Sequence, residues 1–546
     1  MHACQLSTNV YLTLIASTIN NSVVKMFARG AVVLLVFVIS GQCVLRKDRQ
    51  YWEELGANEI EEALAIKNNL GVAKNVILFI GDGMGAHTVT AARIHKGGEG
   101  HRLSFEKFPH IGLLKTYSAD KMVPDSASTA TALLGGVKTN HKTLGVDASV
   151  SNGDCEASLR PEAKVESLAA HALRAGKGAG FVTTMRVTHA TPAPVYAFSS
   201  DRNWECDALT PANCKDIARQ MIEDWPGRDL NVILGGGRQS LIPNATALEN
   251  DPLSNWACSR KDGRNLIEDY KKNKESRGLN YTFVNNTEQL KNIPEDTDYL
   301  FGIFANAHLP YEFQRTPESP SIVDMTEAAI KVLQRNENGF FLMVEGGNID
   351  MGHHRGRART AIDEALAMEE AVKLAYNMTD PSDTLIVVTS DHAHSMTING
   401  HPNRGDDIFG TVGPSRADGL NYTTIAYGTG GPGSRQYEIQ VVNGTNQIVR
   451  RDPIQDDTTD FMYEQIAAIT LDENKHGGGD VGVYASGPYS HLFHNVHEQH
   501  YVYYAISYAA RMGKYAERPT VSGAFSMQAH LLLYFMSLLL VLIAVI

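Results

Sequence analysis

The sequence is short of basic charge, of cysteine, and of any repeat or low-complexity linker. Among its 546 residues, Lys and Arg number 49 against 61 Asp and Glu, a formal net charge of -12. That deficit argues against nucleic acid or an anionic membrane surface as a partner. Length alone allows two to four domains, but without repeats or linkers a single large body with insertions is the simplest organisation. Of the six cysteines, Cys4 and Cys43 stand near the amino end. Cys155, Cys206, Cys214 and Cys258 remain and allow three pairings, so an oxidising compartment would give one or two disulfides. Histidine, by contrast, is plentiful, with 20 residues.

Apolar runs near the two ends read as targeting signals. Arg29 precedes "AVVLLVFVIS" (31–40), which has the length of a signal-peptide core and is short for a membrane span. Residues 1–41 are therefore expected to be a leader and signal peptide cleaved near Ser40 or Gly41, with Met26 as an alternative start. At the other end, Ser522, Gly523 and Ala524 precede a short spacer and an apolar tail from Leu531 to Ile546. This order resembles a glycosylphosphatidylinositol (GPI) attachment signal over 522–546, with Ser522 as the attachment residue and the tail removed. A tail short for a span and lacking a basic flank favours the lipid anchor over a transmembrane helix. Secretion also fits N-x-S/T sequons at Asn244, Asn280, Asn285, Asn377, Asn421 and Asn443.

Between the ends, apolar runs finish in clusters of Gly, Asp, Glu or His: "NVILFIGDGMG" (75–85), "GAGFVTTMRVTHATPA" (178–193), "NVILGGG" (231–237), "GFFLMVEGG" (339–347) and "DTLIVVTSDHAH" (383–394). Continuous β-branched and aliphatic runs suit strands buried on both faces of a parallel sheet. Helical patterns lie between them at 164–176, 325–336 and 360–377. The alternation predicts an α/β fold whose functional groups gather beyond the carboxyl ends of the strands. Residues 400–433, rich in Gly and Pro, read as an insertion.

Several polar clusters carry chemistry. Asp125 and Ser126 in "VPDSASTATALLGG" stand where a helix cap would stand, and the local reading is a cap. Asp350 and His354 are four residues apart, so on a helix they could grip one metal ion. Asp82, Asp391 and His392 each follow an apolar run, and His476 precedes another strand-like run. Singly, each is best read as structural. Together on one sheet edge, buried carboxylates need compensating charge, which divalent metals supply. Mixed His and Asp ligands suit Zn2+, whereas Glu345 with a hydroxyl would suit Mg2+.

The ordered segments "NVILFIGDGMG", "VPDSASTATALLGGVKTN", "VTTMRVTHATPAPVYAFSSDRNW", "GFFLMVEGGNIDMGHH", "TSDHAH" and "KHGGGDV" resemble the alkaline phosphatases, specifically the animal membrane-bound, lipid-anchored group. The resemblance runs from about Trp52 to about Met512, so that 52–512 would be one catalytic domain with a crown-type insertion at about 400–433. It implies a large, mostly parallel central sheet flanked by helices. It further implies hydrolysis of phosphate monoesters at alkaline pH through a phosphoserine, by a homodimer held on the outer face of the cell membrane. Ser126 would be the nucleophile, and Arg202 would hold the phosphate oxygens through paired charge-assisted hydrogen bonds. Asp350, His354 and His476 would hold one zinc; Asp82, Asp391, His392 and Ser126 a second; Asp82, Thr191 and Glu345 a magnesium. His189 matches a position near the magnesium-bound waters, and Asp125 one that orients Arg202. Two zinc ions about 4 Å apart would stabilise the attacking and leaving oxygens.

The resemblance also pairs Cys155 with Cys214 and leaves open whether Cys206 bonds to Cys258. Ser128 replaces a small Gly or Ala, and Met351 a histidine of the vertebrate enzymes. Ala305 and Ser319 stand where the vertebrate group has calcium-binding carboxylates, so no calcium is expected. The alternatives are a phosphodiesterase or sulfatase of the same superfamily, or a catalytically idle surface receptor.

Overall fold

The computed structural model describes residues 48–517. The leader and signal peptide, and the attachment signal with Ser522, lie outside the described residues. The chain divides into two units at Lys67. In the first, a helix spans Arg49–Ala65, capped by the Asp48 side chain, which accepts from the Tyr51 N–H.

The second unit is built on a ten-stranded sheet. Its strands in chain order are β1 (Asn75–Gly81), β2 (His110–Lys115), β3 (Gly178–Arg186), β4 (Val232–Gly236), β5 (Tyr281–Val284), β6 (Tyr299–Ile303), β7 (Phe340–Gly346), β8 (Thr384–Ser390), β9 (Val481–Ser486) and β10 (Asn495–Glu498). They lie in the order β10-β2-β9-β8-β1-β7-β3-β4-β6-β5. β9 runs antiparallel to both its neighbours, and every other pairing is parallel. The α/β architecture expected from the apolar runs is the one found. The five runs become the contiguous centre of the sheet, β8-β1-β7-β3-β4, where both faces are covered.

Strand β1 shows why. Val76, Leu78 and Ile80 point into one core with Leu133, Leu168 and Ile506, while Ile77 and Phe79 point into another with Ile330, Ile362 and Met368. The alternation of a strand thus feeds two hydrophobic layers, each fully buried Leu, Ile or Phe contributing about 1.5–3 kcal/mol. Helices Ser126–Gly135, Leu168–Arg174 and Tyr501–Ala510 cover the first face; Ala86–Gly97, Ile322–Leu333 and Ala358–Met378 cover the second. Ile322–Leu333 starts at a capping box made by Ser321 and Asp324. Leu168–Arg174 begins later than its apolar pattern suggests because Ser167 caps it, accepting from the Ala170 N–H.

Register then sets the chemistry. Ile80 of β1 lies opposite Glu345 of β7, and Gly81 opposite Ser390 of β8. Asp82 and Asp391, one step beyond, and Glu345 therefore emerge at the same sheet edge. The Gly- and Pro-rich region forms small sheets that run on past residue 433. Met396–Ile398, Ile425–Gly430 and Ala467–Thr470 make one sheet, and Tyr437–Val442 with Thr445–Arg450 makes a hairpin. Cys155 is bonded to Cys214, and Cys206 to Cys258.

Candidate active site and metal centre

Asp125, not Ser126, caps the helix Ser126–Gly135: its side chain accepts from the N–H groups of Ala127 and Ser128. Ser126 is thereby the first helical residue, and its hydroxyl is free of the capping role. Its Oγ lies 3.2 Å from His392 Nε2 and 3.5 Å from Asp82 Oδ1, and the side chain is buried. The serine at 128, where a smaller residue was expected, donates from Oγ to Asp125 Oδ1 at 2.9 Å.

Asp125 also receives Arg202 Nη1 at 3.0 Å and the Lys142 N–H at 3.0 Å. Burial works against its charge, but Arg202 and these donors outweigh it and hold the carboxyl below its usual range. The other arm of the fork, Arg202 Nη2, donates to His189 Nε2 at 3.1 Å. Burial, then Arg202 and Arg186, push His189 well below the usual histidine range, so it is neutral.

Around Ser126, Asp391 accepts from the Gly83 N–H at 3.0 Å and from Thr129 Oγ1 at 3.3 Å. Gly83 has φ +72°, and a Cβ there would meet the His394 ring at 2.6 Å, so the "GDGMG" turn requires glycine. Thr191 Oγ1 donates to Asp82 Oδ2 at 3.3 Å. Glu345 Oε2 accepts from Thr183, while Glu345 Oε1 is buried without a partner.

The second group stands on the helix Asn348–His354, where the spacing of four brings Asp350 Oδ2 to 3.2 Å from His354 Nε2. His476 Nε2 lies 3.2 Å from His354 Nε2 and 3.6 Å from Asp350 Oδ1. The Nδ1 atoms of these histidines face backbone carbonyls, of Asn474 for His354 (2.7 Å) and of Pro124 for His476 (2.9 Å). In the neutral form that can bind a metal, each Nδ1 carries the proton it donates, which turns the two Nε2 lone pairs toward each other and toward a carboxylate. Asp350 is held well below the usual carboxylate range because His354 and His394 outweigh its burial.

The structure thus brings Asp82, Ser126, Thr191, Arg202, Glu345, Asp350, His354, Asp391, His392 and His476 to one edge, and it adds His394. His394 Nε2 lies 2.5 Å from Asp350 Oδ1, and its ligand atom clusters with those of Asp350, His392 and His476. Two further clusters are Asp82, Asp391, His392 and Asp82, His189, Glu345. The signal for His394 was the alternation of "HAH", which follows β8 directly. Facing lone pairs, an orphaned carboxylate oxygen and buried carboxylates with one nearby guanidinium all fit divalent cations.

A model of the family described as alkaline phosphatase matches residues 73–512. The chain belongs to the alkaline phosphatase family. It is 44% identical over 482 residues to the alkaline phosphatase of Gadus morhua, spanning 85% of this chain and 98% of the relative. It is 40% identical over 489 residues to the membrane-bound alkaline phosphatase of Bombyx mori, across 85% and 86% of the two chains. The structure of the alkaline phosphatase from the Antarctic bacterium TAB5 shares the fold with a TM-score of 0.56 at 22% identity, covering 82% of this chain and 100% of that one. Alkaline phosphatase family membership brings metal dependence with it, in keeping with the donor sets above.

Proposed function

We propose that Ser126 is the nucleophile with which this alkaline phosphatase hydrolyses phosphate monoesters to an alcohol and inorganic phosphate. The family match disfavours the phosphodiesterase, sulfatase and idle-receptor readings. The observation that carries the nucleophile is its placement: a serine hydroxyl, relieved of capping by Asp125, between His392 and Asp82 at 3.2 and 3.5 Å.

In this reading Asp350, His354 and His476 hold one Zn2+, Asp82, Asp391, His392 and Ser126 hold a second, and Asp82, Thr191 and Glu345 hold Mg2+. Imidazole–carboxylate sets suit zinc, and a carboxylate–hydroxyl set suits magnesium. When bound, such ions supply Lewis-acid charge that favours the serine alkoxide and the departing oxygen. Arg202, held by Asp125, offers its guanidinium to the phosphate oxygens, and the free N–H groups of the helix start add to the anion site. Ser126 Oγ attacks phosphorus and the bond to the ester oxygen breaks, so the alcohol leaves first. Water then attacks the phosphoserine, releasing phosphate and restoring the hydroxyl.

The enzyme is read as a homodimer on the outer face of the cell membrane, GPI-anchored through Ser522. The carboxyl-terminal sequence supports the anchor. Among the described residues no helix is long and apolar enough to cross a membrane. The hairpin face of Ile439, Val441 and Ile448 is exposed apolar surface that a second copy could cover. Five of the sequons are exposed; Asn421 is half-buried and its amide donates to Asp452 at 3.3 Å, which disfavours glycosylation there.

Ser126→Ala tests the reading. Bound zinc is expected to be retained while turnover of a monoester falls by orders of magnitude, about 10³-fold or more. Near-normal turnover would falsify the nucleophile assignment.

A further inference from the structure

Arg202 and the metal-ligand candidates Asp350, His354 and His476 line a cavity of about 640 Å3, and so do Trp256 and Met351. The cavity holds more space than a phosphoryl group fills, so its outer part is available to the rest of the ester. Trp256 is 50% exposed there. An indole with half its surface in water forgoes apolar burial that nothing in its own loop restores.

Two tethers fix this side chain to the reacting centre. Cys258, two residues after Trp256, is bonded to Cys206, four residues after Arg202, with the two Cα atoms 5.8 Å apart. The arm that carries Arg202 and the loop that carries Trp256 are therefore one covalently closed unit. On the other side the Arg355 guanidinium sits 4.4 Å from the centroid of the Trp256 ring, and Arg355 directly follows His354. A cation over the ring holds the plane of the indole. The loop itself is pinned by Arg260, fully buried, which donates to Asp216 at 2.7 Å and to the Ser240 carbonyl at 2.9 Å. A half-open aromatic ring, held in orientation within a few residues of both the phosphate arm and a metal ligand, is built for contact with a ligand.

We propose that Trp256 is the leaving-group platform of this enzyme and that it selects monoesters whose alcohol is planar and aromatic, such as aryl or nucleoside phosphates, over small aliphatic ones. This inference rests on the phosphomonoester reading above and deepens it. The phosphoryl group sits against Arg202 and Ser126, and the aromatic alcohol lies along the indole until it departs. Because the alcohol has gone before the phosphoserine is hydrolysed, the preference resides in kcat/KM, which covers the steps through alcohol release, and not in the breakdown of the phosphoserine.

The experiment compares kcat/KM for phenyl phosphate and glycerol 2-phosphate in metal-loaded wild type, Trp256→Ala, Trp256→Phe and Arg355→Ala. The phenyl-to-glycerol ratio is expected to fall about tenfold in Trp256→Ala, to be largely restored in Trp256→Phe, and to fall in Arg355→Ala, which frees the ring without removing it. Binding gives an independent readout: the Kd ratio of phenylphosphonate to methylphosphonate is expected to change in the same order. An unchanged ratio in Trp256→Ala, or equal losses for both esters, overturns the platform and leaves the phosphatase reading standing. A wild type that hydrolyses neither ester overturns the phosphatase reading and this one with it.

Discussion

His394 illustrates how a side chain that touches no substrate can govern the site. Asn474 donates through its amide to Ser395 Oγ at 2.7 Å and to the Thr429 carbonyl at 2.6 Å, so its Oδ1 must accept from His394 Nδ1, 2.5 Å away. A bond from the other ring nitrogen to Asp350 Oδ1, 2.5 Å away, then needs a second proton on the ring, and with it leaves Asp350 Oδ2 for His354 and the metal. Partners that orient a ligand carboxylate are worth about 10–100-fold in metal affinity or activity. His394→Ala is therefore expected to lower zinc affinity by about that factor, with activity recovering as free zinc is raised. Metal analysis after dialysis against graded zinc measures it, and an unchanged zinc dependence would make His394 mere packing. The same residue shows the limit of local reading. Asp350 and His354 were legible because their spacing is the helical period. His394 meets Asp350 only through folding, and Arg202 and Thr191 gained their roles from family resemblance because a lone residue in a loop has no local signature, whereas Glu345 at the end of an apolar run was singled out as a carboxylate suited to Mg2+.

At the scale of elements, legibility followed burial. The runs that became β8, β1, β7, β3 and β4 are largely apolar and buried along almost their whole length because the sheet centre is covered on both faces. The flanking strands are not: β2 alternates buried and exposed residues and leaves Ile111 and Leu113 in the open, and β10, "NVHE", is largely polar. Such edges read as loops until a partner strand is known. Spacing alone left cysteine pairing open, since it depends on which loops the sheet brings together; the family resemblance paired Cys155 with Cys214 and left Cys206 and Cys258 undecided. Both bridges join residues far apart in the chain, with separations of 59 for Cys155–Cys214 and 52 for Cys206–Cys258. In the chain-entropy account such bridges contribute about 2–4 kcal/mol by restricting the unfolded state. Replacing Cys155 and Cys214 by serine is expected to lower the urea midpoint while leaving substrate preference as it was. The corresponding replacement of Cys206 and Cys258 is expected to lower both the midpoint and the phenyl-to-glycerol ratio, because it also releases Trp256 from the Arg202 arm.

Across the whole molecule, folding gathers charge that it can bury only with help. Burial first, then Asp391, Asp350 and Glu345, push Asp82 well above the usual carboxylate range, and burial pushes Glu345 up to about 8. His354 is raised to about 8, with Asp350 outweighing the effect of burial. In the metal-free chain these three groups bind protons in the folded state that the unfolded state has released by about pH 7. Where the folded state binds more protons, stability falls as pH rises, so metal-free stability from this cluster is lost as pH rises from the unfolded values, about 4.5 for Glu345 and 6.5 for His354, through about 8. Metal ions replace those protons and bind only the folded site, which removes the slope and adds binding free energy. Groups elsewhere, such as Lys274 with its pKa lowered to about 7 by burial, titrate in both forms and cancel in the difference. The gap in melting temperature between metal-loaded and chelator-treated protein is therefore expected to widen as pH rises from about 6 through about 8 and then to level off. Scanning calorimetry of the two forms side by side measures the gap. A gap that stays constant or narrows over that range would place the metal-linked stability somewhere other than this cluster of carboxylates and histidines.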